Sequence, residues 1–225
     1  MIAEATQMAQ TTEIDFYTSP TCPWAWRTAL WIRQVAEQTP LKINWKILSL
    51  AIINRGHDYS ADSHAFGYKA EMLLVAARKA GGNAAFEQLY MAIGDALHSR
   101  REERTDELLT KALVAAGLPE SLYADSQSDP SFEKTVNDEH EYAITELDAF
   151  GVPTICIPGS KVALFGPVVD PVPTGPEAVD LWNNFQWGLD KTYVYEVKRT
   201  RKHRAGPVGL ADVNETLEPV GAGAR

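Results

Sequence analysis

The residues best suited to chemistry lie in T-C-P-W-A-W-R-T-A, from Thr21 to Ala29. Cys22 follows the short alternating run Ile14-Asp15-Phe16-Tyr17 and precedes a helical pattern, so it stands where a strand hands over to a helix. Unpaired N–H groups and the positive end of the helix dipole favour a thiolate there, and Pro23 suits the first helical position because it has no N–H to leave unpaired. The spacing therefore predicts an acidic, nucleophilic Cys22, with a pKa well below the ordinary thiol value of about 8.5. In a C-x-x-C pair a second thiol closes a disulfide, but here the fourth position is Ala25. The other cysteine, Cys156, alternates with Ile155 and Ile157 and reads as a buried, inert residue of an apolar strand. A lone activated thiol has two routes: reversible addition to an electrophilic carbon, or a mixed disulfide that an external thiol resolves.

The neighbours of Cys22 allow two readings. Trp24 and Trp26 suit a flat conjugated ligand or, equally, a packed core. His98 follows a periodic helix that ends at Leu97 and is a candidate for proton transfer. Asn54, His57 and Tyr59, after the second strand, are candidates to hold a polar thiol. His57, His64, His98, His140 and His203 show no His-x-x-x-His pairing, and no metal site is expected.

The elements that must position these residues are legible in outline. Ile14 to Tyr17 read as the first strand, Trp24 to Gln38 as a helix ended by Thr39-Pro40, and Leu41 to Ile53 as a buried strand. Together they make a right-handed βαβ unit with parallel strands. Four helical patterns follow. They are centred on Met72 to Lys79, ended by Gly81-Gly82; on Phe86 to Leu97; on Leu108 to Ala116, with Thr105 near its start; and on Phe132 to Phe150. Strand character returns at Thr154–Ile157 and Val162–Phe165 around the Pro158-Gly159-Ser160 turn, followed by a helix from Pro176 to Leu189. Tyr193–Val197 reads as a short extended element. The expected organisation is one α/β unit built from 12–58 and 150–200, an all-α insertion at 59–149, and flexible termini at 1–11 and 203–225. The insertion should cover the end that bears Cys22 and leave a cleft with the thiol at its base.

The chain has 225 residues and a net charge of -9 with a pI near 5.1, which argues against nucleic-acid or anionic-membrane partners. The basic run Lys198–Arg204 is short and reads as solvated. No segment approaches a membrane span, and with no disulfide framework a cytoplasmic location is expected. Oligomeric state is not legible.

C-P-W-x-W at Cys22–Trp26, S-L-A-I at Ser49–Ile52, V-P-T-I at Val152–Ile155, F-G-P-V at Phe165–Val168 and K-R-T-R at Lys198–Arg201 occur in this order around a helical insertion. In this pattern the chain resembles the DsbA-like branch of the thioredoxin fold, and within it the mycothiol-dependent oxidoreductases and nitroreductases of actinobacteria. The resemblance implies a thioredoxin-like fold with an all-α insertion, a cis-proline at Pro153 opposite Cys22, and backbone beside Val152 and Pro153 that holds a substrate. Cys22 is then the catalytic residue, with Pro23, Trp24, Trp26, Asn54, His98, Val152 and Pro153 as substrate-binding candidates. Ala25 departs from the family's dithiol pattern. The expected activity is cis–trans isomerisation of a conjugated alkene or polyene, free or carrier-bound, with no cofactor required; glutathione-dependent isomerases on related folds also lack the second cysteine. The alternative is a monothiol oxidoreductase or nitroreductase using mycothiol or another low-molecular-weight thiol, or a C-x-x-C oxidoreductase whose second cysteine has been replaced.

Overall fold

The computed structural model describes residues 11–55, 61–201 and 203–214, with backbone alone at 61–64 and 214. His57, Tyr59, the side chain of His64, most of the expected N-terminal arm and residues 215–225 lie outside the described residues. A four-stranded sheet has the order β2-β1-β3-β4. β1 (Glu13–Thr18) pairs in parallel with β2 (Lys42–Ile47), and the antiparallel pairs β1 with β3 (Thr154–Cys156) and β3 with β4 (Ala163–Phe165) complete it. Central β1 alternates at its start and then stays buried, with Ile14 and Phe16 at 0% exposure.

α1 (Pro23–Gln38) joins the parallel pair and is covered by α7 (Gly175–Phe185). Trp31 and Trp182 meet between them, and the Trp31 indole N–H donates to the Ala178 carbonyl at 3.0 Å. An aromatic group of that size buries roughly 150–250 Å², about 4–6 kcal/mol of gross hydrophobic stabilisation before entropy is counted. On the other side, Phe16, Trp45, Phe86 and Tyr90 form one aromatic cluster that ties the sheet to the insertion.

The stretch from Leu41 to Ile53 is not one strand. β2 ends at Ile47, and Ser49 caps a short helix, α2 (Leu50–Ile53), by accepting from the Ile52 N–H at 3.2 Å. A serine side chain offered to the backbone outweighs the apolar run, which reads as strand only while that cap goes unrecognised. α3 (Ala61–Gly94) comprises two helical arms that break at Gly81 and Gly82, the latter at φ 71°. It continues into a π turn (Asp95–Ser99). α4 (Asp106–Ala115), α5 (Ser121–Ser128) and α6 (Pro130–Glu146) complete the insertion. The polar sequence of α5 hid it from periodicity. α6 stops before Phe150, which is 72% exposed and off the helix.

The outer edge of β2 is closed by insertion side chains instead of a fifth strand. Asn83 accepts from the Trp45 N–H at 3.0 Å and donates to the Ile43 carbonyl, Arg78 donates to the Trp45 carbonyl at 2.8 Å, and Glu139 accepts from the Ile47 N–H at 2.8 Å. Arg78 and Glu139 also pair with each other. These contacts satisfy an edge that would otherwise invite pairing with another chain.

Beyond α7 the helical pattern tightens into a 3-10 turn (Gln186–Asp190). Tyr193–Val197 forms no strand: no neighbour pairs with it among the described residues, and Tyr195 and Val197 are almost fully exposed. Residues 203–214, expected to be flexible, instead return to the body of the protein and end in α8 (Leu210–Asn214). Val213 is 3% exposed, Val208 receives a hydrogen bond from the Trp26 indole at 2.9 Å, and the Leu210 N–H donates to Asp95 at 3.5 Å. Glycine and proline lowered the apolar density here, but three apolar side chains, Val208, Leu210 and Val213, suffice to dock the segment. No helix among the described residues is long and apolar enough to cross a membrane.

Candidate active site

Cys22 is the N-cap of α1, with Pro23 in the first turn. Its N–H donates to the Ser19 carbonyl at 3.1 Å, closing the tight loop after β1, and its carbonyl receives the Trp26 N–H at 3.0 Å. Sγ accepts from the Ala25 N–H at 3.4 Å, and the thiol lies 3.7 Å from the Val152 carbonyl, to which it donates. The Val152–Pro153 peptide bond is cis. Sequence positions 130 apart thus place the sulfur against the backbone just before Pro153.

The expectation of an acidic Cys22 is overturned in this conformation. Cys22 is only 8% exposed, and burial pushes the thiol up, outweighing the N–H groups of Ala25 and Trp24 and the positive charge of Arg201, all of which pull it down. Loss of hydration penalises the charged form more than two weak donors and one guanidinium repay. The hollow beside α2 and α6 is lined by Ile52, Asn137, His140, Glu141, Ile144 and Thr145, and Cys22 is not part of it.

The insertion does meet the Cys22 loop, through residues that sequence alone did not single out. Glu71 of α3 is fully buried and accepts from Ser19 at 2.8 Å and from Ser49 at 2.5 Å, linking the loop before Cys22 to the cap of α2. Burial raises its carboxyl to about 7 against those two hydrogen bonds and one from the Leu50 N–H. Tyr90 accepts from Thr18 at 2.7 Å. Gly94 approaches Trp26 so closely that a Cβ would lie 2.3 Å from the ring. A glutamate on the otherwise apolar face Ala70, Leu73, Leu74 and Ala77 was the available signal, since a buried carboxylate needs partners.

His98 sits on the π turn and not at the thiol. Its Nε2 is 2.8 Å from the Pro20 carbonyl, its ring packs by Trp26, and burial lowers its pKa to about 4. A neutral imidazole that donates to Pro20 steadies the loop. Trp26 is 0% exposed and packs in the core, whereas Trp24 is partly exposed: the first helical turn points one tryptophan inward and the other out. Trp24 is partly exposed and carries two guanidinium groups over its ring, Arg201 at 5.0 Å and Arg27 at 6.0 Å from the centroid. Arg27 is buried, paired with Asp170 at 2.6 Å and bonded to the Gly206 carbonyl at 2.9 Å. Asn54 closes α2, its N–H donating to Leu50, and no contact carries it to the sulfur. Pro23 is exposed at the start of α1. Cys156 lies 2% exposed in β3, pushed up to about 12 by burial and then by Asp15, and both cysteines are free thiols.

Residues 21–199 match the model of a family described as Rv2466c-like, mycothiol-dependent nitroreductase Rv2466c. A curated relative, the uncharacterized protein Rv2286c of Mycobacterium tuberculosis, is 30% identical over 213 residues, covering 92% of this chain and 89% of its own. Solved structures share the fold at low identity. The cytosolic disulfide reductase DsbM of Pseudomonas aeruginosa is 15% identical with a TM-score of 0.54, over 78% of this chain and 97% of its own. A probable DsbA oxidoreductase, SCO1869 of Streptomyces coelicolor, is 16% identical with a TM-score of 0.53, over 88% and 97%. A 2-hydroxychromene-2-carboxylate isomerase is 16% identical with a TM-score of 0.54, over 68% and 88%. With a thiol capping the helix after β1, a helical insertion between β2 and β3 and a family match over most of its length, the chain belongs to the Rv2466c-like family, DsbA-like enzymes of the thiol-oxidoreductase kind on a thioredoxin fold.

Proposed function

We propose that this enzyme works through Cys22 alone, by reversible addition to a conjugated alkene that leaves it isomerised. The observation that carries the reading is the absence of a second usable thiol: Ala25 occupies the C-x-x-C partner position, fully buried, and Cys156 is held as a neutral thiol by burial. In the covered state Cys22 is protonated and protected. Once its proton passes to solvent, the Ala25 and Trp24 N–H groups stabilise the anion. The thiolate adds to the β-carbon of an α,β-unsaturated carbonyl, and the π electrons move to the carbonyl oxygen. The former double bond rotates, and collapse of the enolate expels the thiolate with no net redox change. The backbone at Val152, beside the sulfur, would align an extended substrate. The fold likeness to an isomerase adds support, and two free thiols suit a reducing cytoplasm.

The family match favours a second reading, in which Cys22 attacks a disulfide of mycothiol or a related small thiol, expels one thiolate and is freed by a second thiol. One experiment separates the two. With a conjugated acid as probe, Cys22→Ala should abolish isomerisation measured in the absence of added thiol. Ala25→Cys should lower isomerisation by diverting Cys22 into a disulfide, and raise small-disulfide reductase activity. Turnover that depends on mycothiol or glutathione and consumes it stoichiometrically would establish the second reading instead.

A further inference from the structure

Arg201 is exposed, its guanidinium lies 5.0 Å from the centre of the Trp24 indole, and none of the ion pairs among the described residues includes it. The other guanidinium over that ring, Arg27, is already committed to Asp170 and to the Gly206 carbonyl. His203, two residues beyond Arg201, also turns to Asp170, at 3.2 Å. Asp170 is thus shared by Arg27 and His203, and no ion pair among the described residues takes up the charge of Arg201. Trp24 is two residues from Cys22 in the first turn of α1, and the charge of Arg201 reaches the sulfur. In a chain of net charge -9, cations gathered beside the thiol raise the local concentration of an approaching anion.

Taking Cys22 as the nucleophile, as above, we propose that Arg201 and Trp24 form a recognition lip beside it for a flat, anionic substrate, a conjugated acid whose carboxylate pairs with Arg201 while its planar chain lies along the indole. A guanidinium held over an aromatic ring still presents N–H donors in a fork that matches a carboxylate, and the indole face accepts a conjugated chain by stacking. A neutral thiol cofactor gains nothing from this charge, so the lip selects the electrophile.

The test compares two alkylating probes of similar size, anionic iodoacetate and neutral iodoacetamide, reacting with Cys22 at low salt. Any effect of Arg201 on the amount of thiolate acts equally on both, so the rate ratio, normalised to N-acetylcysteine, isolates recognition of charge. The wild-type ratio should exceed that of Arg201→Gln by roughly two- to fivefold, the worth of an exposed ion pair. Arg201→Lys should retain part of the difference, and molar salt should erase it. Circular dichroism should show Arg201→Gln folded, since the side chain is exposed. Equal ratios in wild type and Arg201→Gln would overturn the lip while leaving Cys22 a nucleophile. If iodoacetamide failed to label Cys22, the nucleophile reading would fall, and the lip with it.

Discussion

Cys22 and Cys156 are both buried, both free, and both pushed up by loss of hydration, yet their surroundings differ in kind. Around Cys22, two backbone N–H groups and a guanidinium oppose the burial. Around Cys156, Asp15 adds to it and only Lys46 opposes. Burial silences a thiol in either place, but only at Cys22 are groups already arranged to hold the anion once hydration or a substrate reaches the sulfur. Reactivity here is a property of the donors that remain when the cover is relieved.

The largest effect that could break this comparison is in labelling. Iodoacetamide should add one group to the folded protein, Cys22→Ser should reduce incorporation to near zero, and Cys156→Ala should leave it unchanged. Rapid addition of two groups to wild type would show that Cys156 is as accessible as Cys22. Next is the pH profile. Because burial raises the Cys22 pKa in the folded state, its alkylation rate should still climb past the ordinary thiol value of about 8.5, whereas in guanidinium both thiols should inflect near that value. A native inflection below it would mean that the helix terminus outweighs burial, as the local sequence suggests.

A third experiment perturbs the packing behind the Cys22 helix. Gly94→Ala would place a Cβ 2.3 Å from the Trp26 ring, and its lowered denaturation midpoint should correspond to about 1–3 kcal/mol of overpacking. Alkylation of Cys22 should rise in that variant, while Cys156, 2% exposed in β3, should stay unreactive.

The smallest effect concerns Glu71, whose folded carboxyl, at about 7, lies above its ordinary 4.5. The native state therefore keeps a proton that the unfolded chain has released, and stability falls as pH rises from 4.5 to about 7. His98, at about 4 against an ordinary 6.5, acts in the opposite sense, with stability lost as pH falls from 6.5. Urea midpoints across this range should show the two slopes opposing in wild type, and Glu71→Gln should leave only the acid-side loss. An unchanged profile in Glu71→Gln would remove the buried carboxylate from the support of the Ser19–Cys22 loop.

What the sequence by itself determined is local. Cys22 before Pro23 announced a capped helix terminus, the Ile14–Tyr17 alternation its incoming strand, and Pro158-Gly159-Ser160 the hairpin that carries Cys156, because capping, fixed φ and alternation act within a few residues. The cis peptide at Pro153 was legible only through the family resemblance of V-P-T-I. Tertiary structure decided the rest: that Cys22 is covered, that Trp24 faces outward while Trp26 is core, that Glu71 links two loops, and that the segment ending in α8 docks on Trp26. Desolvation is summed over every atom that approaches a group, and hydrogen bonds such as Ser19 to Glu71 and Trp26 to Val208 join residues 52 and 182 positions apart. No window of sequence contains both partners, so the balance that keeps the Cys22 thiol neutral at rest exists only once the chain is folded.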